Sequence, residues 1–186
     1  WQTGYLTIKD YEQTPFGVLY YLGIPNLEVQ ISLMSSISDY ISKSNETPAI
    51  KQSIYLTLSR QNLNNFKTNL TSLYASIPYN LFTNNPMYEK EGYYVSIFYA
   101  YMKGMGVDVV GEDVTNKGRI DLTVIFPEAI YIMEFKVDGN DALKQLKDKR
   151  YYEKYTSHGK PIYLVGIEFD SKDRNVKKVE WEKVKE

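Results

Sequence analysis

Residues 118–137, GRIDLTVIFPEAIYIMEFKV, constrain the fold more than any other stretch. Two runs rich in Ile, Leu, Val, Phe and Met flank a short turn, as in a hairpin whose strands are covered on both faces. Asp121, Glu134 and Lys136 interrupt those runs with three charges. Strand side chains alternate, so Ile120, Leu122, Val124 and Phe126 share one face while Asp121, Thr123 and Ile125 share the other. In the second strand Tyr131, Met133, Phe135 and Val137 point one way, and Ile132, Glu134 and Lys136 the other. A two-residue turn at Glu128-Ala129 sets Asp121 opposite Lys136 and Glu134 opposite Thr123, with opposed Cβ atoms about 5 Å apart. All three charges then project from one face.

Two accounts of those charges stand side by side. One is a solvent-facing ion pair on the outside of a hairpin, worth roughly 0–1 kcal/mol. The other is a pair of carboxylates under partial cover, costly to desolvate unless a cation or hydrogen bonds compensate. Two convergent carboxylates with a backbone carbonyl between them supply hard oxygen ligands for Mg²⁺. A neighbouring lysine can orient water or steady charge developing on a phosphate.

The rest of the chain narrows the choice. Its 186 residues suffice for one domain with a core, or one domain and an appendage. Lys plus Arg (22) nearly balance Asp plus Glu (23), so whole-chain charge announces neither a nucleic-acid nor a membrane partner. There are no cysteines, which excludes disulfides and thiolate chemistry and agrees with a cytoplasmic setting. No apolar run approaches a membrane span. Opening on Trp1, the sequence reads as a piece of a longer protein.

Residues 1–85 predict a pair of short opening strands, with turns at Thr14-Pro15 and Pro25-Asn26. A helix capped by Asn26 follows over about 27–43, its stripe Leu27, Ile31, Met34, Ile37 and Ile41. A second helical region spans about 48–77, broken near Arg60-Gln61, and SIPYNLFTNNPM reads as a connector. From about 86 the pattern turns α/β: a helix over 87–103 ending at Gly104, strands at 107–112, 119–126 and 130–137, a helix over 140–155, and strands at 161–169 and 175–184. His158 falls in a turn, and no phosphate-binding loop occurs anywhere.

Asp121 followed by Glu134-Phe135-Lys136, within the ordered series QTGYLTIKDY, YASIPYNL, GRIDLTVI, YIMEFK, ALKQLKDKRYYEKY and VGIEF, resembles the PD-(D/E)XK nuclease superfamily. The likeness is to the bacterial branch in which a nuclease-like domain follows an AAA-ATPase-like domain. It implies a restriction-endonuclease-like mixed sheet flanked by helices over 86–186, behind a mainly helical region over 1–85. It implies Asp121, Glu134 and the main-chain carbonyl of Phe135 as ligands of Mg²⁺ or Mn²⁺, with Lys136 catalytic. The preceding helix offers one more acid: Glu91, in line with Val95, Phe98 and Met102, with Glu89 the fallback. Gln145 and Tyr151 match accessory positions on the later helix. Six residues apart do not share a helix face, so either the helix breaks near Arg150 or Tyr152 is the partner. Arg119 and Lys144 are candidates for phosphate contact, against a solvated helix face and an edge arginine. DNA is the implied substrate ahead of RNA, with an upstream ATPase-like domain of the same polypeptide and a second copy as implied partners. Two departures stand out. Ile120 replaces the expected proline, and Val95 stands where a polar His or Gln is expected, which puts efficient catalysis in doubt.

Overall fold

The computed structural model describes residues 4–42, 47–79, 86–139 and 141–184. The middle of the expected connector, 80–85, and the expected helix-start residue Asn140 lie outside them. Strands β1 (Thr7–Thr14) and β2 (Gly17–Gly23) form a separate antiparallel hairpin. Its turn closes through Thr14, whose Oγ1 donates to the Gly17 carbonyl at 2.8 Å, while Gly17 takes φ +123°. Tyr11, Val18, Leu19, Tyr20, Tyr21 and Leu22 are all exposed, and Phe16 at the tip is 100% so.

Helix α1 (Leu27–Ser42) starts as expected, with Asn26 Oδ1 accepting the Val29 N–H at 2.9 Å. Its apolar stripe holds in part: Ile31, Met34 and Ile41 are half-buried, whereas Leu27 and Ile37 are exposed and the fully buried residues are Ser38 and Ser42. Small side chains let α1 lie close against α4 (Glu91–Gly104), where Ser35 Oγ donates to the Gly104 carbonyl at 3.0 Å. Gly104 is therefore a close-approach residue, since a Cβ there would stand 3.1 Å from Ser35 N. The helix ends at Gly104 as expected, and a left-handed turn follows at Gly106, with φ +75°. Helices α2 (Thr47–Ser59) and α3 (Phe66–Ala75) are divided by Gln61, φ +55°, and a 3-10 turn at Leu63–Asn65.

The second sheet joins β3 (Asp108–Thr115), β4 (Gly118–Ile125), β5 (Ile130–Val137), β6 (Ile162–Asp170) and β7 (Asn175–Lys183) in that order. Only β5 and β6 run parallel, which requires a crossover. Helix α5 (Ala142–Lys149) and a 3-10 segment (Tyr151–His158) provide it. They cover one face, packing Leu146, Tyr151 and Tyr155 with Ile120, Ile132 and Leu164. Helices α2, α3 and α4 cover the other, placing Leu58, Phe66, Leu70 and Phe98 in one cluster with Leu122, Val124, Met133 and Phe135. A five-stranded mixed sheet between helices is the α/β architecture that the sequence implies. Among the described residues no helix is long and apolar enough to cross a membrane.

The central hairpin carries two further corrections. Ile125 pairs with Ile130 and Leu122 with Met133, and Phe126 N–H donates to the Ala129 carbonyl at 2.9 Å. The turn is thus centred one residue earlier than expected, at Pro127-Glu128, and Asp121 comes level with Glu134 rather than Lys136. A shift by two conserves parity along β5, so Glu134 and Lys136 keep a common side. Ile120 instead joins the cluster that contains Ile132. The β3–β4 ladder skips the pair between Glu112, φ +50°, and Asp121, so the regular alternation fails at that point.

Candidate active site

Glu134 sits near the end of the central strand β5, and burial follows from that position: its side chain is 2% exposed. Lys136, two residues on and on the same face, bonds Glu134 Oε1 at 2.9 Å and lies 3.6 Å from Glu91 Oε1. Glu91 is the first residue of α4, so the helix N-terminus delivers its half-exposed carboxylate over the sheet end. Glu89 lies in the exposed 3-10 turn before it, at Pro86–Glu89. Asp121 on β4 completes the group, its Oδ2 accepting the Phe135 N–H at 2.8 Å. In an extended strand the N–H and C=O of one residue face the same edge, so the Phe135 carbonyl is turned toward the Asp121 side.

The second donor to Glu134 Oε1 is Gln145 Nε2, from α5. Both donors serve one oxygen. Among the described residues Glu134 Oε2 is buried and has no partner. Burial, with the charge of Asp121 adding, pushes the Glu134 carboxyl up to about 7. Burial also raises Asp121, despite the Phe135 N–H and Lys136 pulling the other way. At Lys136 burial opposes the charge, but the Glu134 bond and the surrounding carboxylates outweigh it and lift its pKa. The cluster is short of positive charge.

The remaining candidates separate. The helix ends at Arg150, φ +51°, so the first of the two sequence alternatives holds. Tyr151 is buried, its pKa raised by burial with the charges of Glu134 and Asp121 adding, and its hydroxyl meets the Arg119 backbone. Gly118 makes room for it, because a Cβ there would stand 2.7 Å from that hydroxyl. Tyr152 instead lines a cavity of about 720 Å³ with Lys160, Pro161 and Lys183, beside the opposite ends of β5 and β6. Arg119 pairs with Glu112 at 3.2 Å in the open. Lys144 is exposed on α5. Val95 packs against the apolar core. His158 is exposed, as the turn predicts.

Two buried acids escape the sequence reading. Glu168, 3% exposed on β6, is paired in register with Lys136. It carried the same signal as Glu134, a charge inside an apolar strand, IYLVGIEF. Asp113, also 3% exposed, accepts from Thr123 Oγ1 at 2.8 Å, from the Tyr155 hydroxyl at 2.5 Å and from Lys154.

The donor set suits a hard divalent cation, though among the described residues no three His, Cys, Asp or Glu side chains form a ready cage. Two carboxylates, one carrying an orphaned buried oxygen, with a carbonyl turned toward the same side, make a partial site that water or a phosphate would complete. Comparison with known proteins agrees in kind. Residues 89–179 match the family model of the PD-(D/E)XK nuclease superfamily. This region belongs to that superfamily. The matched span contains Glu91, Asp121, Glu134, Lys136 and Gln145, so the superfamily region and the acid–lysine cluster coincide. An uncharacterized protein from the vnfD 5′ region of Azotobacter chroococcum mcd 1 is 39% identical over 180 residues. The match takes in 94% of this chain and 35% of that relative, so the chain spans about a third of the relative's length. No solved structure matches.

Proposed function

We propose that this superfamily domain hydrolyses phosphodiester bonds in DNA, with RNA the less favoured substrate, using Mg²⁺ or Mn²⁺. The observation that carries the proposal is the cluster of Asp121, Glu134 and Lys136, in which Lys136 bonds Glu134 Oε1 and, among the described residues, buried Glu134 Oε2 has no partner. Asp121, Glu134 and the Phe135 carbonyl would hold the cation. Once bound, the cation supplies Lewis acidity toward the scissile phosphate and a lower pKa for an attacking water. Lys136, held charged by Glu134 and Glu91, steadies negative charge developing on the phosphate. Gln145 aims Glu134. Exposed Lys144 and Arg119 would contact phosphates of the bound strand, while buried Tyr151 would support the site from beneath. The ATPase-like companion, the homodimer and the cytoplasmic setting implied by the resemblance belong to this proposal too. The length of the matched relative leaves room for the companion.

The test is metal-dependent nicking of supercoiled plasmid by the chain and by its Lys136→Ala variant. Activity in the parent and at least about a hundredfold less in the variant supports the mechanism. Equal activity in both removes it. A second reading, a nucleic-acid-binding module without turnover, is favoured by Val95, whose side chain packs in the core where a polar group would be expected to face the site. It predicts salt-dependent DNA binding and no cleavage at any divalent metal concentration.

A further inference from the structure

We propose that Glu168 and Gly166 of β6 are positioning residues, docking the start of α5 so that Gln145 reaches Glu134 and leaves its second oxygen free. The proposal rests on the cation-binding reading of Glu134. It follows a continuous chain of bonds. Glu168 Oε1 accepts the Asp141 N–H at 2.9 Å. The Asp141 carbonyl accepts the Gln145 N–H at 3.0 Å, in the first turn of α5. Gln145 Nε2 then donates to Glu134 Oε1.

Three features make this a built arrangement. Asp141, the residue at the helix start, has φ +71° and makes no side-chain capping bond of its own. The carboxylate that satisfies its N–H comes from the neighbouring strand and is 3% exposed. Gly166 shares the Glu168 face, and a Cβ there would meet the Leu143 backbone, with Cα 2.9 Å away. Backbone cannot swing aside as a long side chain does, so α5 rests directly on β6. Finally, Gly166 and Glu168 are in register with Glu134 and Lys136. One of the two points that fix the helix therefore lies level with Glu134, the side chain that Gln145 must meet.

A nuclear magnetic resonance experiment on the whole chain decides the matter without reference to cleavage. The side-chain amide of Gln145, identified by its loss in Gln145→Ala, is followed in the parent, Glu168→Ala and Glu168→Gln. We expect Glu168→Ala to speed solvent exchange of this amide about tenfold or more and move it toward a free glutamine position. Glu168→Gln, which keeps an acceptor for the Asp141 N–H, should restore most of the parent behaviour. Should Glu168→Ala fail to fold, Glu168→Asp, one methylene short, is read by the same resonance. An unchanged Gln145 amide in the folded alanine or aspartate variant overturns the proposal, as does a glutamine variant no better than alanine. Mn²⁺ titration adds the functional arm, with binding about tenfold or more weaker in Glu168→Ala and rescued in Glu168→Gln. A parent chain that binds no Mn²⁺ sinks the cation reading while the Gln145 resonance still tests the positioning.

Discussion

Asp113 and Glu134 are both nearly sealed carboxylates of the same sheet, and they are served in opposite ways. Asp113 receives bonds from Lys154, Tyr155 and Thr123 spread over both of its oxygens. Burial works against its charge, yet those bonds outweigh it and hold the carboxyl below its ordinary range. Among the described residues Glu134 has its two donors on one oxygen and none on the other, and its carboxyl is driven up to about 7. The first acid is saturated and ties the 3-10 segment to β3. The second retains unused ligating capacity. Within one fold, the number of donors that reach a buried carboxylate separates a saturated fastening from an acid with ligating capacity to spare.

The sharpest way to break the comparison is to neutralise the unsatisfied acid. Glu134→Gln should lower any metal-dependent cleavage by about a thousandfold. Metal-free thermal unfolding should find the same variant at least as stable as the parent at pH 8. A large loss of stability there would make Glu134 a fastening after all. Removing the saturated acid should do the reverse. Asp113→Ala leaves the Tyr155 and Thr123 hydroxyls without their acceptor and should cost about 3 kcal/mol, near 10 °C in midpoint, with Mn²⁺ affinity in the folded protein unchanged.

Titration sharpens the contrast further. The folded pKa of Glu134 lies above the ordinary value of 4.5, so its contribution favours folding below that value and is lost as pH rises through about 7. For Asp113 the folded pKa lies below 3.8, so its contribution is complete above that value and lost as pH falls through the folded pKa. Metal-free denaturant curves should show Glu134→Gln gaining on the parent between pH 5 and 8, by an amount on the order of 1–2 kcal/mol. Asp113→Asn should flatten the acid limb alone. The smallest effect concerns a residue outside both clusters. Lys144→Ala should weaken DNA binding about threefold and reduce the slope of log affinity on log salt by about one.

Much of the arrangement was legible because strand parity is a local property. That Glu134 and Lys136 share a side follows from alternation, and it survives a turn centred one residue earlier than the one that had set their partners. What alternation cannot give is the level at which strands meet, which depends on loop closure at Phe126 and Ala129. Nor does it give the skipped pair at Glu112, which carries Ile120 to the other cluster. The helix break at Arg150 was legible only as one of two options, because Tyr151 and Tyr152 differ in long-range contacts rather than in local preference. Asp113 was missed for a related reason: its partners Thr123 and Tyr155 lie 10 and 42 residues away. The α1 stripe held at Ile31, Met34 and Ile41 but failed at Leu27 and Ile37, because small serines fit the close approach to α4.

The hairpin of β1 and β2 has a practical consequence. Wet aromatic and aliphatic groups line it, and Phe16 stands wholly in water at its tip. Among the described residues no third strand joins the pair, so both lateral edges present open backbone groups. Colloidal behaviour of the purified polypeptide will be governed there, by sticky ribbon meeting sticky ribbon, and replacing Phe16 with a lysine is the simplest remedy for precipitation on concentrating.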